Sequence, residues 1–138
     1  MRGLVRAEAQ RRMSGGRLPT WASGAAGLEG EQLALWETAA AFAESELLPM
    51  AREWDETETF PVEVLRKLGA LGFGGLYVPC EKGGSELGRV GSAIVLEALA
   101  TGCVSTTAYL SIHNMCCWML SEYVCVFFFS TIMIQKLI

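Results

Sequence analysis

The helical spacing of apolar residues is the sequence feature that most constrains how this chain can fold. Between residues 31 and 47, apolar side chains recur at intervals of three and four, at Leu33, Trp36, Ala40, Ala43 and Leu47. This spacing is typical of one face of an α-helix. Pro49 lacks the N–H that a helix needs and its ring clashes with the preceding turn, so we expect the helix to end or kink there. A short second segment, residues 50–55, is expected to follow.

Two further helices are predicted from their start and stop signals. Phe60-Pro61 is expected to open a helix with proline in its first turn, and Gly72 is its expected left-handed stop. The predicted buried face of this helix is Val64, Leu65, Leu68 and Leu71. Residues 73–79 are expected to form a short extended connection, and residues 80–88 a polar loop. Residues 89–100 are apolar almost all round, which is typical of a helix that is buried on most sides.

The last predicted helix follows a break at residues 101–103. Ser105 or Thr106 is expected to cap it. Its predicted inner face is Ala108, Ile112, Met115 and Met119. Joined by short connections, these segments predict an all-α helical bundle. A chain of 138 residues is one domain or a piece of a larger one.

The start of the chain has a different composition from the rest. Residues 1–24 contain five arginines and one acidic residue, whereas residues 25–138 contain six basic and fourteen acidic residues. An Arg-rich start with few acids is typical of a mitochondrial transit peptide, although a basic tail without a targeting role has the same composition. We predict that residues 1–26 are a disordered transit peptide, that residues 27–120 form the helical domain, and that the protein acts in the mitochondrial matrix.

Residues 121–138 form an apolar tail. Within it, residues 123–135 include no charged side chain. A membrane span needs roughly 17–25 apolar residues, so this run is too short to cross a bilayer alone, and membrane association is not expected. Its β-branched and aromatic residues favour a sheet, an aggregate or a hydrophobic groove over a surface helix.

Few residues offer chemistry of their own. The net charge of −4 argues against a nucleic-acid partner, and five cysteines without CxxC spacing indicate a reducing compartment. His113 is the only histidine, and adjacent Cys116 and Cys117 point about 100° apart on a helix, which disfavours a metal site. His113 and Cys117 share a helix face, but no third group orients them as a nucleophile and base, so packing is the favoured role. Residues 83–88 lack the Lys-Ser/Thr pair of a phosphate-binding loop, which favours a plain turn.

Three consecutive motifs carry a family resemblance. They are EALATGC at residues 97–103, STTAY at residues 105–109 and SIHNMC at residues 111–116. With them, residues 28–119 resemble the acyl-CoA dehydrogenase family. The order of the earlier motifs agrees, with Glu53-Trp54-Asp55, Phe60-Pro61 and the glycines near residues 72–75 and 83–84 in sequence. After residue 120 the apolar tail replaces the polar turn that the family has there.

The resemblance implies the N-terminal helical domain of an FAD-dependent oxidoreductase. Such enzymes remove hydrogens from the α and β carbons of an acyl-CoA, here a short branched one from branched-chain amino acid catabolism, and pass the electrons to electron-transfer flavoprotein. In this family a β-domain and a C-terminal helical domain follow, with most flavin contacts and the catalytic glutamate. The resemblance therefore implies no catalytic or flavin-binding residue in this chain. It places Thr107, Ala108 and Ser111 on one wall of the acyl pocket, with ordinary helix packing as the alternative for all three.

Two functions remain open from the sequence. The chain is expected to be an N-terminal domain fragment that is inactive alone, with an unrelated tail. The alternative is a non-catalytic interaction module that forms homo-oligomers or docks on full-length subunits or other partners through exposed apolar faces.

Overall fold

The computed structural model describes residues 27–123, and these residues form an all-α fold, which confirms the predicted fold class for this part of the chain. The five α-helices, in chain order, are α1 (Gly30–Phe42), α2 (Ala51–Glu56), α3 (Val62–Ala70), α4 (Gly88–Ala100) and α5 (Val104–Tyr123). Between α3 and α4 lie two single turns of 3₁₀-helix, Phe73–Gly75 and Cys80–Lys82. The predicted transit peptide, residues 1–26, and residues 124–138 of the predicted tail lie outside the described residues.

The first helix ends before Pro49, as predicted, and it does so through a widened turn. Beyond α1, the chain forms a π-helical turn at Ala43–Leu47, in which the Leu48 N–H donates to the Ala43 carbonyl at 2.8 Å. Such one-turn widenings relieve a local conflict in the regular hydrogen-bond ladder. The conflict here is Pro49, which has no N–H to donate and whose ring would meet the carbonyl four residues earlier.

The core lies between α1 and α4, with α3 and α5 against its flanks. Its buried side chains are Ala39, Ala43, Leu47, Leu65, Leu68, Phe73, Leu76, Val95, Ala98, Leu99, Cys103 and Leu110. Gly102, in the break between α4 and α5, lies directly on the wide turn after α1. A Cβ at this position would be 2.6 Å from the Ala43 carbonyl oxygen. The absence of a side chain at Gly102 therefore sets how closely this break approaches α1.

The segment after α3 is not the extended connection that the sequence predicts. Gly72 has φ +85° and so takes the predicted left-handed stop, but the chain then forms a 3₁₀ turn instead of a strand-like segment. Phe73 and Leu76 are both buried, and a 3₁₀ turn places residues three apart on the same side. The need to bury both side chains therefore favours the turn. Leu71, predicted to be buried, is exposed.

The predicted inner face of α5 is wrong. Ala108 is exposed, and Ile112, Met115 and Met119 are 56%, 51% and 46% exposed. The helix instead buries Thr106, Thr107, Leu110, Asn114, Cys117 and Ser121. Small polar side chains can be buried here because their hydrogen bonds are satisfied inside the protein. Hydrophobic periodicity found a real apolar stripe, but the described residues leave that stripe uncovered.

The predicted cap of α5 is also wrong. The helix begins at Val104, so Ser105 and Thr106 lie inside its first turn. The side chain that precedes the helix is Cys103, whose Sγ accepts hydrogen bonds from the Thr106 N–H at 3.5 Å and the Thr106 hydroxyl at 3.2 Å. A thiol therefore occupies the place that a serine or threonine oxygen usually takes.

The helix α4 is less buried than the sequence predicts. It buries Ile94, Val95, Ala98 and Leu99, but Val90 is 63% exposed. The prediction that this helix is buried on most sides is therefore wrong. Among residues 27–123, no helix combines the length and apolar character that a membrane span requires.

Candidate functional site

A cleft runs along the exposed side of α5, where this helix faces the start of α4 and the loop between α3 and α4. Its volume is about 450 Å³. Its lining residues are Tyr77, Glu86, Gly88, Arg89, Ser111, Met115 and Trp118. Among the described residues, the lining therefore combines an aromatic and thioether surface with a carboxylate, a guanidinium and two hydroxyl groups, those of Tyr77 and Ser111.

Asn114 fastens the loop to α5 from inside the protein. Its Oδ1 accepts a hydrogen bond from the Leu76 N–H at 2.7 Å, and its Nδ2 donates to the Phe73 carbonyl at 2.9 Å. The Asn114 side chain is fully buried, and Tyr77 follows Leu76 directly in the chain. This amide thus fixes the 3₁₀ turn that carries Tyr77 to the cleft. Sequence reasoning missed Asn114, although a lone amide within an apolar helix is a detectable signal.

Backbone pairing shapes the rest of the loop. The Ser85 N–H donates to the Gly75 carbonyl at 2.9 Å, and the Leu87 N–H donates to the Leu76 carbonyl at 2.9 Å. Gly84 packs so closely on Val78 that a Cβ would collide with the Val78 backbone. Residues 83–88 therefore form a turn bonded to its own protein, as predicted, rather than a cradle with free N–H groups. Lys82 extends this loop to the end of α5 by donating from Nζ to the Ser121 carbonyl at 2.6 Å.

Glu86 is the one carboxylate among the described residues that line the cleft. Its Oε2 accepts a hydrogen bond from the Cys80 N–H at 3.0 Å, and this bond holds the pKa of Glu86 below its usual range. Hydrogen bonding to Glu86 raises the pKa of the Cys80 thiol. Glu86 also has φ +49°, a left-handed conformation that is uncommon outside glycine. The lowered pKa makes this carboxylate a weaker base than an ordinary glutamate.

The three predicted pocket-wall residues occupy different environments. Ser111 lines the cleft, and its hydroxyl donates to the Ala108 carbonyl at 2.8 Å. Thr107 is buried and donates to the Cys103 carbonyl at 2.8 Å, so it contributes to helix packing. Ala108 is exposed outside the lining of the cleft. The structure thus brings one of the three to the cleft.

His113 and Cys117 do lie together, with 3.3 Å between Nε2 and Sγ. Burial raises the pKa of Cys117 to about 11 and lowers the pKa of His113. Both shifts favour the neutral thiol and the neutral imidazole. A nucleophilic cysteine needs the thiolate, so this pair has the chemistry of a packing contact. Within residues 27–123, no three side chains of the ligand-forming types come together as a metal site.

Comparison with known proteins identifies a family match over most of the described residues. The model of the acyl-CoA dehydrogenase N-terminal domain matches residues 29–124. The mitochondrial isobutyryl-CoA dehydrogenases of Bos taurus and Dictyostelium discoideum are 50% and 45% identical over 97 residues. These matches cover 70% of this chain and 23% of each relative. The mitochondrial short-chain specific acyl-CoA dehydrogenase of Homo sapiens is 39% identical over 80 residues, which are 58% of this chain and 19% of the relative. This chain therefore matches less than a quarter of the length of these relatives.

Proposed function

Because this chain belongs to the acyl-CoA dehydrogenase family, whose N-terminal domain it contains, we propose that it forms one helical wall of an acyl-CoA binding site. The observation that supports this function is the cleft along α5. Ligand sites are mostly apolar concavities with a few polar groups that fix orientation. Tyr77, Met115 and Trp118 supply the apolar surface, and Ser111 supplies a hydroxyl group.

The proposed substrate class is a short branched acyl-CoA. Two of the similar proteins are named for isobutyryl-CoA, and one is named for short-chain acyl-CoA. The reaction would be an oxidation of a carbon–carbon single bond within branched-chain amino acid catabolism, with electron-transfer flavoprotein as the electron acceptor. The mitochondrial relatives and the Arg-rich start of the chain support a location in the mitochondrial matrix.

The chain by itself is proposed to bind without turning over substrate. Removal of the α proton of a thioester needs a base whose pKa is matched to that task. The carboxylate in the cleft, Glu86, has a lowered pKa and already accepts the Cys80 N–H. The wall therefore supplies shape and contacts, and the base is expected elsewhere in a complete enzyme.

Members of the family use FAD, but the described residues do not fit the whole of this cofactor. A flavin dinucleotide carries two phosphates, and phosphate sites commonly use free backbone N–H groups at a helix start together with cationic side chains. The N–H groups of residues 83–87 donate to carbonyls of their own protein, and only Gly88, at the start of α4, has open space around it. Arg89 is the one cation among the described residues that line the cleft. The described residues therefore do not form a complete site for the flavin dinucleotide.

A domain exchange tests the proposed wall. Residues 28–123 would replace the corresponding segment of the bovine isobutyryl-CoA dehydrogenase, and the steady-state oxidation of isobutyryl-CoA would be measured. The chimera is expected to be active, and Ser111→Phe, which fills the cleft, is expected to raise KM at least tenfold. Cys116→Phe on the same helix is the matched control, because Cys116 is exposed and lies outside the lining of this cleft. Equal KM values for the two variants would contradict the proposal.

A second candidate function is a non-catalytic interaction module. The exposed apolar side of α5, formed by Ile112, Met115 and Met119, favours it, because contiguous exposed apolar patches commonly mark interaction surfaces. The expected partners are a second copy of the chain or a full-length dehydrogenase subunit. Size-exclusion chromatography with and without the full-length enzyme tests this function. Elution as a monomer in both runs would contradict it.

A further inference from the structure

A second cleft, separate from the first, has the lining of a binding site for an organic cation. It lies where the connection between α2 and α3 meets the start of α5, and its volume is about 260 Å³. The aromatic side chains in its lining are Trp54, Phe60 and Tyr109, and the charged ones are Asp55 and Glu58. The two clefts share no lining residue.

The aromatic part of this cleft is held in place by local contacts. The rings of Phe60 and Tyr109 pack edge to face, with centroids 5.0 Å apart and planes at 77°. Trp54 is half-buried against the core, and the Thr59 N–H donates to the Trp54 carbonyl at 3.0 Å. Trp54 in α2 and Phe60 in the connection after it are therefore held close together, with Tyr109 of α5 packed on Phe60.

The charges in this cleft have one sign. Asp55 and Glu58 are exposed carboxylates, and none of the ion pairs found within residues 27–123 includes either of them. The described residues that line the cleft include no lysine or arginine. The charged side chains in the described lining are consequently all negative.

We propose that this cleft binds an organic cation through its ammonium or guanidinium group. The faces of Trp, Tyr and Phe rings attract such cations, and adjacent carboxylates add charge attraction. A metal ion would instead need several carboxylate or imidazole ligands converging on one point, and no such group exists among the described residues. The cation is either a free quaternary ammonium compound or the side chain of a protein partner.

Choline and its uncharged carbon isostere, 3,3-dimethylbutan-1-ol, test the proposal on the full 138-residue chain. Each is titrated into ¹⁵N-labelled protein at constant ionic strength, and amide chemical shifts are followed. Choline is expected to cause saturable shifts at residues 54–60 and 105–109, with a millimolar dissociation constant because the cleft is open to water. The isostere is expected to bind at least about fivefold more weakly, since it lacks the charge. Equal dissociation constants for the two probes on the wild-type protein would by themselves overturn the proposal.

Variants test the role of the carboxylates. The double substitution Asp55→Asn with Glu58→Gln preserves shape and is expected to weaken choline binding at least about fivefold. Glu53→Gln is the matched control, because Glu53 is an exposed carboxylate of α2 outside the cleft. Unchanged binding by the double variant, with the amide spectrum of a folded protein, would overturn the proposal.

A third probe distinguishes the two sources of the cation. Tighter binding of N-acetylarginine amide than of choline would assign the cleft to a side chain of a protein partner. Tighter binding of choline would assign it to a free quaternary ammonium compound. The cation site is supported whichever of the two probes binds more tightly. If neither probe causes saturable shifts, the proposal is overturned.

Discussion

Asn114 shows how one buried amide can determine the shape of a binding wall. Its side chain bonds to the backbone of residues 73 and 76, far away in sequence, and so joins the loop to α5. No apolar residue can reproduce these bonds, and the backbone groups would then be buried without partners. Asn114 is thus the residue on which the position of Tyr77 in the cleft depends.

Asn114→Leu is expected to destabilise the protein by about 2–4 kcal/mol, because it leaves a buried N–H and a buried carbonyl without partners. Urea unfolding followed by circular dichroism measures this change. Ser121→Ala is the control, since the Ser121 hydroxyl is also buried on α5 but bonds within its own helix to the Trp118 carbonyl. A similar loss for both variants would contradict the role assigned to Asn114.

The two adjacent cysteines of α5 are expected to differ in reactivity. Cys116 is exposed, whereas Cys117 is buried, with its pKa raised to about 11. At pH 8 only about one Cys117 in a thousand carries a thiolate, so iodoacetamide should modify Cys116 well before Cys117. Tandem mass spectrometry of timed samples measures both rates. Faster modification of Cys117 in the folded protein would contradict the neutral pair with His113.

The raised pKa of Cys117 also predicts how the stability of the protein changes with pH. The folded state holds the Cys117 proton more tightly than the unfolded state, so the free energy of unfolding should fall as the pH rises from about 9 towards 11. Cys117→Ala should remove this part of the alkaline loss. A wild-type protein and a Cys117→Ala variant with identical slopes over this range would contradict it.

At the scale of elements, the sequence predicts where helices stop better than which face they bury. Pro49 and Gly72 mark real ends because a missing N–H and a positive φ act locally. The inner face of α5 was mispredicted because periodicity detects an apolar stripe without saying what covers it. The 3₁₀ turn at Phe73–Gly75 depends on Asn114, which is distant in sequence. The Cys103 cap is local, but a thiol is not among the usual capping side chains, so capping preferences did not predict it. For the cleft, the sequence identified Ser111 through the family resemblance but not Tyr77, Glu86 or Trp118.

Gly102→Ala tests the close approach between the wide turn after α1 and the break before α5. The added Cβ would lie 2.6 Å from the Ala43 carbonyl oxygen and 2.9 Å from the Leu47 Cβ. Overpacking of this kind costs about 1–3 kcal/mol, which thermal unfolding can measure. Gly91→Ala in α4 is the comparison, because its nearest contact is a leucine side chain at 3.1 Å and alanine favours a helix. Equal destabilisation at both sites would contradict the proposed contact.

The exposed apolar stripe of α5, formed by Ile112, Met115 and Met119, is expected to affect self-association more than the free energy of unfolding. Met115→Gln with Met119→Gln should leave the free energy of unfolding within about 1 kcal/mol of the wild-type value, because both side chains are largely exposed. The same change should reduce self-association in sedimentation velocity experiments. Leu110→Gln on the buried face is the contrasting variant. Truncation of a buried leucine alone lowers the free energy of unfolding by about 2–5 kcal/mol. A large loss of stability from the stripe variant would mean that this face is covered after all.

On the scale of the whole molecule, the chain has the fold of a family domain and only part of the length of its relatives. The family prediction from residues 97–116 is confirmed by the match over residues 29–124 and by the similarity to isobutyryl-CoA dehydrogenases. The described residues provide a helical wall, a mostly apolar cleft and a carboxylate with a lowered pKa. These features are consistent with the proposed binding role, and the lowered pKa of Glu86 makes it a weaker base than an ordinary glutamate.

Steady-state turnover by the purified 138-residue chain tests this central claim most directly. Isobutyryl-CoA, FAD and an artificial electron acceptor would be supplied, and acceptor reduction would be followed with the active chimera as the positive control. We expect a rate indistinguishable from that of a sample without protein. Acceptor reduction that increases in proportion to the concentration of the chain, and that Ser111→Phe abolishes, would contradict the account.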